Sequence, residues 1–202
     1  MPYRIAVCVS GGGSNLGALI DGLRDEPDVE VALVLSNRAA AGGLERARAA
    51  GIPAEVFDDP ADPTEWITRC GRRDVDLIVL AGYLKLVPAQ VVSRYRGRML
   101  NIHPALLPLH GGPGMYGRRV HQAVLASGAR ETGATVHLVD EAYDRGAVLA
   151  QSRVPVLTGD TPETVAARVL AAEHALLPAV VVAASRAGRP VPLAETLTEL
   201  ES

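Results

Sequence analysis

The sequence is poor in several residue types, and each shortage excludes a class of protein. It has two cysteines, Cys8 and Cys70, and neither stands in a CxxC or metal-ligand spacing. A disulfide framework is therefore excluded and a reducing compartment is favoured, so we expect a cytoplasmic protein without a bound metal. Lys85 is the only lysine and the formal net charge is -3. Because nucleic-acid binders carry a basic surplus, we expect no nucleic-acid partner.

Long apolar runs are also missing. No stretch reaches the ~18 uninterrupted apolar residues of a membrane span, and the longest candidate is Leu176 to Ala184. The first residues, MPYRIAVCVSGGG, enter a strand pattern directly and lack the regions of a secretory signal. We therefore expect no membrane association. Hydrophobic residues still make up 48% of the chain, which is enough to cover both faces of a buried sheet.

Strand and helix patterns alternate along the first hundred residues. Strand-like segments cover residues 4–9, 29–35, 54–57, 77–80, 99–102, 135–139 and 148–154. Helical spacing or helix-end signals mark residues 16–23, 41–50, 64–72, 88–95, 118–127 and 161–184. This order predicts an α/β fold, with a Rossmann-like open, mostly parallel twisted sheet of about seven strands and helices on both faces.

A glycine-rich loop, SGGGSN, joins the first strand to the first helix. Glycines let the backbone approach an anion, which exposed N–H groups and the positive helix end then hold. We interpret Gly12, Gly13, Ser14 and Asn15 as a phosphate site, although such glycines also serve simply as a tight turn. No Gly-Lys-Ser/Thr follows, so this is not a Walker loop. Arg38 after the second strand would suit the 2′-phosphate of NADP, which keeps an NADP-dependent reductase open as an alternative.

A second polar cluster follows a buried strand. Asn101 and His103 alternate across Ile102, so an extended chain places both side chains on one side, beyond the carboxyl end of the strand. Pro104 and Pro108 stiffen the exit from this strand. A lone Asn-x-His is more often structural, but this position favours a ligand site.

The segment NIHPALLP resembles the signature of the folate-dependent formyltransferases. The likeness continues in CVSGGGSNLGALID, DLIVLAGYLKLVP, TGATVHLVDEAYDRGAVLAQ and AARVLAAEHALLP, which resemble the members that act on glycinamide ribonucleotide. The resemblance implies transfer of the formyl group of 10-formyltetrahydrofolate, the co-substrate, to the amine of glycinamide ribonucleotide in purine biosynthesis. It implies small-molecule partners only and leaves open whether the chain forms a homodimer.

The resemblance also implies roles for individual residues. Asn101, His103 and Asp144 would be catalytic, with Asp144 raising the pKa of His103 by charge pairing. The phosphate and ribose would be held by Gly12, Gly13, Ser14, Asn15 and Glu173. The folate would be held by Leu84, Lys85, Leu86, Val87, Asn101, Val139, Asp140, Glu141, Ala142 and Tyr143. Without the resemblance, Asp144 and Glu173 would be interpreted as solvated charges, and His137 as a structural strand residue.

The implied organisation is one domain over residues 1–202. Residues 1–100 would form the phosphate-binding half, residues 101–186 the catalytic and folate-binding half, and residues 187–202 a polar surface tail. The run LHGGPGMYGRRVHQAV is longer than the usual family turn, so the contacts of Met115, Tyr116 and His121 do not transfer. The alternatives are a formyltetrahydrofolate hydrolase, the NADP-dependent reductase and a non-catalytic ribonucleotide sensor.

Overall fold

An alternating order of strands and helices builds one sheet that is covered on both faces. The computed structural model describes residues 1–193 and 197–198. The strands are β1 (Tyr3–Val9), β2 (Val29–Ser36), β3 (Ala54–Val56), β4 (Leu77–Leu80), β5 (Met99–His103), β6 (Glu131–Leu138), β7 (Val148–Pro155) and β8 (Leu197–Thr198). The helices are α1 (Ser14–Gly22), α2 (Gly42–Ala49), α3 (Pro63–Gly71), α4 (Ala89–Arg94), α5 (Arg118–Ala126) and α6 (Pro162–Ala187).

Within the described residues, the eight strands are ordered β3-β2-β1-β4-β5-β6-β7-β8. Strands β1 to β5 are parallel, and β6 is antiparallel to both β5 and β7. The predicted open, mostly parallel sheet is therefore confirmed. The strand order reverses between β1 and β4, which opens a crevice beyond the carboxyl ends of these strands, the usual ligand position in such sheets.

Two apolar clusters hold the helices to the sheet. One face packs on α1, α2 and α6, and its strand side chains include Val7, Val79, Leu100 and Ile102. The other face packs on α3 and α4 around Trp66, among other residues. Strand β5 contributes Leu100 and Ile102 to the first cluster, so the alternating Asn101 and His103 project to the opposite face.

The end of the sheet differs from the sequence prediction. Strand β6 begins at Glu131 rather than Thr135, because Glu131 to Ala134 pair with the last residues of β7. The two-residue β8 adds an eighth strand beside β7. The predicted surface tail is exposed at residues 187–189 and 192, but Pro190 is buried and the Leu193 N–H donates to the Leu149 carbonyl at 3.0 Å. Residues 194–196 and 199–202 of that tail lie outside the described residues.

The long helix α6 starts where the sequence predicts. The Thr161 side chain accepts a hydrogen bond from the Thr164 N–H in a capping box, and Pro162 is in the first turn. An 18-residue window of α6 has a mean hydropathy of 1.7, so it passes a length and composition test for a membrane span. Half of that window is buried inside the fold, and α6 packs on α1, β6, β7 and α5, as a core helix does.

Replacing Gly133 in β6 with alanine should lower the free energy of unfolding by about 3 kcal/mol. An added Cβ would lie 1.9 Å from the Ser152 carbonyl oxygen on β7, and that backbone atom cannot move without disturbing the ladder. Urea unfolding measures the change. Gly71→Ala at the end of α3 is the control, because its Cβ would meet no heavy atom within 4 Å. Equal stabilities of the two variants would contradict the close β6–β7 contact.

Candidate active site

Three side chains from distant parts of the chain meet beyond the end of β5. Asn101 and His103 come from β5, and Asp144 comes from the loop between β6 and β7. The Asn101 Nδ2 atom is 3.4 Å from Asp144 Oδ1, and His103 Nδ1 is 3.6 Å from Asp144 Oδ2. Together they line a cavity of about 610 Å³. The fold thus brings an amide, an imidazole and a carboxylate to one point.

Asp144 is held as an anion by several donors. The Gly112 N–H donates to its Oδ2 atom at 2.8 Å, and His137 Nε2 lies 3.5 Å from Oδ1. Burial alone would raise the pKa of Asp144. The interaction with His137 in its protonated form, the hydrogen bond from the Gly112 N–H and the charge of His103 in its protonated form outweigh burial, so the pKa lies below its ordinary value. Asp144 has a left-handed backbone, with φ of 55°.

His103 is 3% exposed, and its Nε2 atom lies 2.9 Å from the His110 carbonyl oxygen. The charge of Asp144 raises the pKa of His103, as expected, but the net pKa lies below its ordinary value. Burial lowers that pKa by more than Asp144 and the His110 carbonyl raise it. Burial thus favours the neutral form of His103 in the free protein, whereas Asp144 favours the charged form.

His137 lies at the centre of the site, although its sequence pattern indicates only a strand residue. Its Nδ1 atom is 2.8 Å from the Leu138 carbonyl oxygen, so Nδ1 carries the proton of the neutral ring. Its Nε2 atom is then free to accept from Asn101 Nδ2, at 3.0 Å. The antiparallel register sets Asn101 opposite His137. Only the β5–β6 pairing could have revealed this contact, and no local motif encodes that pairing.

Glu173 occupies the other end of the cavity. It is 6% exposed, so the alternative of a solvated helix charge is wrong. Asn15 Nδ2 donates to Glu173 Oε2 at 3.0 Å, and Asn15 Oδ1 is buried with no hydrogen-bond partner in the described part of the chain. Burial raises the pKa of Glu173 to about 7, and the hydrogen bond from Asn15 lowers it by less. The first turn of α1 and the middle of α6 thus share one buried polar contact.

The glycine loop packs tightly on α2. An added Cβ on Gly13, whose φ is 71°, would lie 2.5 Å from Gly43 Cα, so both positions need glycine for this approach. Arg46 Nε donates to the Gly12 carbonyl at 2.8 Å. Within residues 1–193 and 197–198, no side chain caps the start of α1, which leaves its first-turn N–H groups open to an anion. Asn15 lines the 610 Å³ cavity, whereas Gly12, Gly13 and Ser14 do not.

The predicted folate residues gather around the same carboxylate. A cavity of about 70 Å³ lies next to Asn101 and Asp144. Its walls include most of the residues predicted to hold the folate, namely Lys85, Leu86, Val87, Val139, Asp140, Ala142 and Tyr143. Leu84 lines the 610 Å³ cavity, and Glu141 lines a third, surface cavity that also contains Tyr143. The two chain segments of the folate prediction therefore face each other across one narrow space.

Two site residues have no counterpart in the sequence predictions. The buried Ser10 hydroxyl donates to Asn37 Oδ1 at 2.6 Å and accepts from the Leu84 N–H at 2.9 Å, so it ties the ends of β1, β2 and β4 together. His121 of α5 is 5% exposed and lines the large cavity. Among the described residues, no group of three or more His, Cys, Asp or Glu is arranged to hold a metal ion.

Comparison with known proteins places this geometry in a family. The formyl transferase family matches residues 3–181. A chloroplastic phosphoribosylglycinamide formyltransferase of Arabidopsis thaliana is 49% identical over 86% of this chain, and the chain spans 62% of that relative. The phosphoribosylglycinamide formyltransferase of Escherichia coli strain K12 is 42% identical over 88% of this chain and 85% of its own length. The crystal structure of the Anaplasma phagocytophilum enzyme of that name has a TM-score of 0.87 and 33% identity, over 98% of this chain and 97% of that one.

Glu173→Gln should stabilise the protein at pH 8 by about 2–3 kcal/mol and have little effect near pH 4. The folded-state pKa of Glu173 is raised above the value of 4.5 that an exposed glutamate has. The stabilising contribution of the protonated carboxyl is therefore complete below pH 4.5 and is lost as the pH rises through about 7. Urea unfolding at several pH values measures it. Glu163→Gln, on the exposed start of α6, is the control. A pH-independent difference for Glu173→Gln would contradict its burial.

Proposed function

The chain belongs to the formyl transferase family, and from this premise we propose that it transfers the formyl group of 10-formyltetrahydrofolate to the amine of glycinamide ribonucleotide. The observation that carries the proposal is the convergence of Asn101, His103 and Asp144 between two cavities of different character. The larger cavity runs towards Asn15 and Glu173, and the smaller one is lined by the two folate segments. A formyl donor bound in one cavity and a formyl acceptor bound in the other would meet at Asp144.

The reaction forms one C–N bond and breaks another. The amine nitrogen attacks the formyl carbon, and the carbonyl electron pair moves onto the formyl oxygen. The attacking nitrogen loses a proton to the Asp144–His103 pair, which returns it to N10 as the bond between N10 and the formyl carbon breaks. The formyl oxygen then regains its double bond, so no external acid, base or redox partner is consumed.

Asn101 stabilises the negative formyl oxygen. One of its amide protons is fixed on His137 Nε2 at 3.0 Å, which orients the group. The other points towards Asp144 Oδ1 at 3.4 Å, a distance at which a hydrogen bond is weak, so this proton is available to the oxygen. His103 adds positive charge when it holds the transferred proton.

The acceptor binds towards the glycine loop. We assign its phosphate to the backbone of Gly12, Gly13 and Ser14 with Asn15 beside them, and its ribose hydroxyls to Glu173. The open first turn of α1 supports the first assignment, since phosphate binds well at helix N-termini. The burial of Glu173 supports the second, because a buried carboxyl that accepts one hydrogen bond, from Asn15, has further lone pairs for hydroxyl donors.

The folate donor binds in the smaller cavity. Its pterin would contact the backbone of Leu84 to Val87 and of Val139 to Tyr143, where main-chain groups match the donors and acceptors of the ring edge. In functional terms, residues 1–100 form the phosphate-binding half. Residues 101–186 form the catalytic and folate-binding half. All these residues come from one chain, so the proposal requires no second copy. We propose the cytoplasm as its location, with the buried Cys8 and Cys70 reduced.

The alternatives explain less of the site. An NADP-dependent reductase would need Arg38 as a cofactor ligand, and Arg38 lines none of the three cavities. A formyltetrahydrofolate hydrolase would use water and would leave the buried Asn15–Glu173 pair without a ligand. Glycinamide ribonucleotide accounts for both ends of the large cavity.

His103→Ala and Asp144→Asn should each lower kcat for formyl transfer by about 10²-fold or more, because each removes a member of the proton-transfer pair. A spectrophotometric assay with glycinamide ribonucleotide and 10-formyl-dideazafolate measures the rate. Circular dichroism shows whether the variants fold. Near-normal turnover by either folded variant would defeat the mechanism. A wild-type protein that forms no product would defeat the proposed function itself.

Asn15→Leu should raise KM for glycinamide ribonucleotide far more than KM for the folate. The change removes an amide beside the proposed phosphate site and leaves Glu173 without its donor. Tyr143→Ala is the matched variant for the other half, and it should raise KM for the folate more. Equal effects of each variant on both substrates would contradict the division of the site into two halves.

A further inference from the structure

A short backbone segment, residues 110–112, lies across the proton-transfer pair and contacts both of its members. The His110 carbonyl oxygen is 2.9 Å from His103 Nε2, and the Gly112 N–H donates to Asp144 Oδ2 at 2.8 Å. We call residues 110–112 the backbone bracket. It belongs to the part of the chain where the sequence is longer than the usual family turn. Its contacts are made by main-chain atoms, and a side-chain motif therefore does not reveal them.

The bracket determines which nitrogen of His103 carries a proton. A carbonyl oxygen only accepts hydrogen bonds, so the 2.9 Å contact requires a proton on Nε2. With His103 at 3% exposure, the alternative would leave the Nε2 lone pair facing the carbonyl lone pairs with no water to separate them. In the neutral ring, Nδ1 is then unprotonated. It faces Asp144 Oδ2 across 3.6 Å.

The local backbone is adapted to this contact. His110 has φ of 55°, in the left-handed region that is uncommon outside glycine and that asparagine, aspartate and histidine adopt more often than other residues do. At Gly111, an added Cβ would lie 2.5 Å from Leu107 Cδ2 and 3.1 Å from Asp144 Cβ. The left-handed turn directs the His110 carbonyl at His103, and the missing side chain at Gly111 allows the approach to Asp144.

We propose that His110 is a positioning residue whose carbonyl holds His103 in the Nε2–H tautomer, so that Nδ1 is the nitrogen that takes up and returns the proton in formyl transfer. This inference rests on the proposed function for its role in catalysis. The proton that leaves the attacking amine would arrive on Nδ1, where the ion pair with Asp144 stabilises the imidazolium. It would leave from Nδ1 to N10, and Nε2 would keep its own proton throughout.

The tautomer is measurable in the free protein. A two-bond ¹H–¹⁵N spectrum of the histidine rings, with His103 assigned from the signal that His103→Gln removes, distinguishes a protonated Nε2 from a protonated Nδ1. The protein has five histidines, so this assignment is practicable. We expect His103 to be Nε2–H at pH 8. An Nδ1–H ring or an even mixture would overturn the proposal, whatever the enzyme assay shows.

Backbone variants test the link to catalysis. His110→Val disfavours the left-handed φ and should lower kcat about tenfold or more, with KM unchanged and with a mixed His103 tautomer. His110→Asn, which tolerates that φ, should restore both the rate and the tautomer. Asp74→Val is the matched control, because Asp74 also has a positive φ, of 48°, and lines none of the cavities. It should lower the melting temperature but change neither kcat nor the His103 spectrum.

Each outcome decides the question. A His110→Val protein with the wild-type tautomer and rate would overturn the proposal. If His110→Val does not fold, the wild-type spectrum and the His110→Asn rate still decide it. A wild-type protein with the Nε2–H tautomer but no formyl transfer would leave the tautomer assignment intact and would count against the proposed function alone.

Discussion

The carboxylate of Asp144 is the group on which the site depends. A carboxylate that is largely withdrawn from water is stable only if donors replace the lost hydration. Here the donors are the Asn101 amide of β5 and the Gly112 N–H in the loop that follows β5, and the rings of His103 and His137 lie within 3.6 Å of the same carboxylate. The same anion sits between the two cavities. One electrostatic requirement therefore organises the local structure and also locates the chemistry.

The two histidines beside Asp144 show how tautomers are set by backbone carbonyls. Leu138 fixes the proton of His137 on Nδ1, and His110 fixes that of His103 on Nε2. In the neutral rings, the nitrogen nearest Asp144 is therefore the unprotonated one in both cases, Nε2 of His137 and Nδ1 of His103. His137 orients the amide of Asn101, whereas His103 keeps a free nitrogen towards Asp144. Burial of His103 favours its neutral form and Asp144 favours its charged form, which suits a group that must accept and return one proton.

At the far end of the large cavity, burial raises the pKa of an acid, Glu173, whereas it lowers the pKa of the base His103. Burial raises the pKa of Glu173 to about 7, and the side chain that donates to it, among the residues that the structure describes, is Asn15. The site thus contains one carboxylate that is held ionised and one that is not. Such a separation of environments allows two carboxyl groups of one pocket to serve different purposes, proton transfer in one case and ligand binding in the other.

Local sequence was sufficient for the alternating elements, for the start of α6 at Thr161 and for the same-side projection of Asn101 and His103, because these follow from periodicity, capping and strand pleat. The resemblance of NIHPALLP and of the longer segments indicated the family. Tertiary structure alone decided that His137 is opposite Asn101, that Glu173 is buried against Asn15, and that burial outweighs Asp144 in the pKa of His103. These depend on which strands pair and on how much water each group loses. Both are properties of contacts between distant residues, and a local pattern carries no information about them.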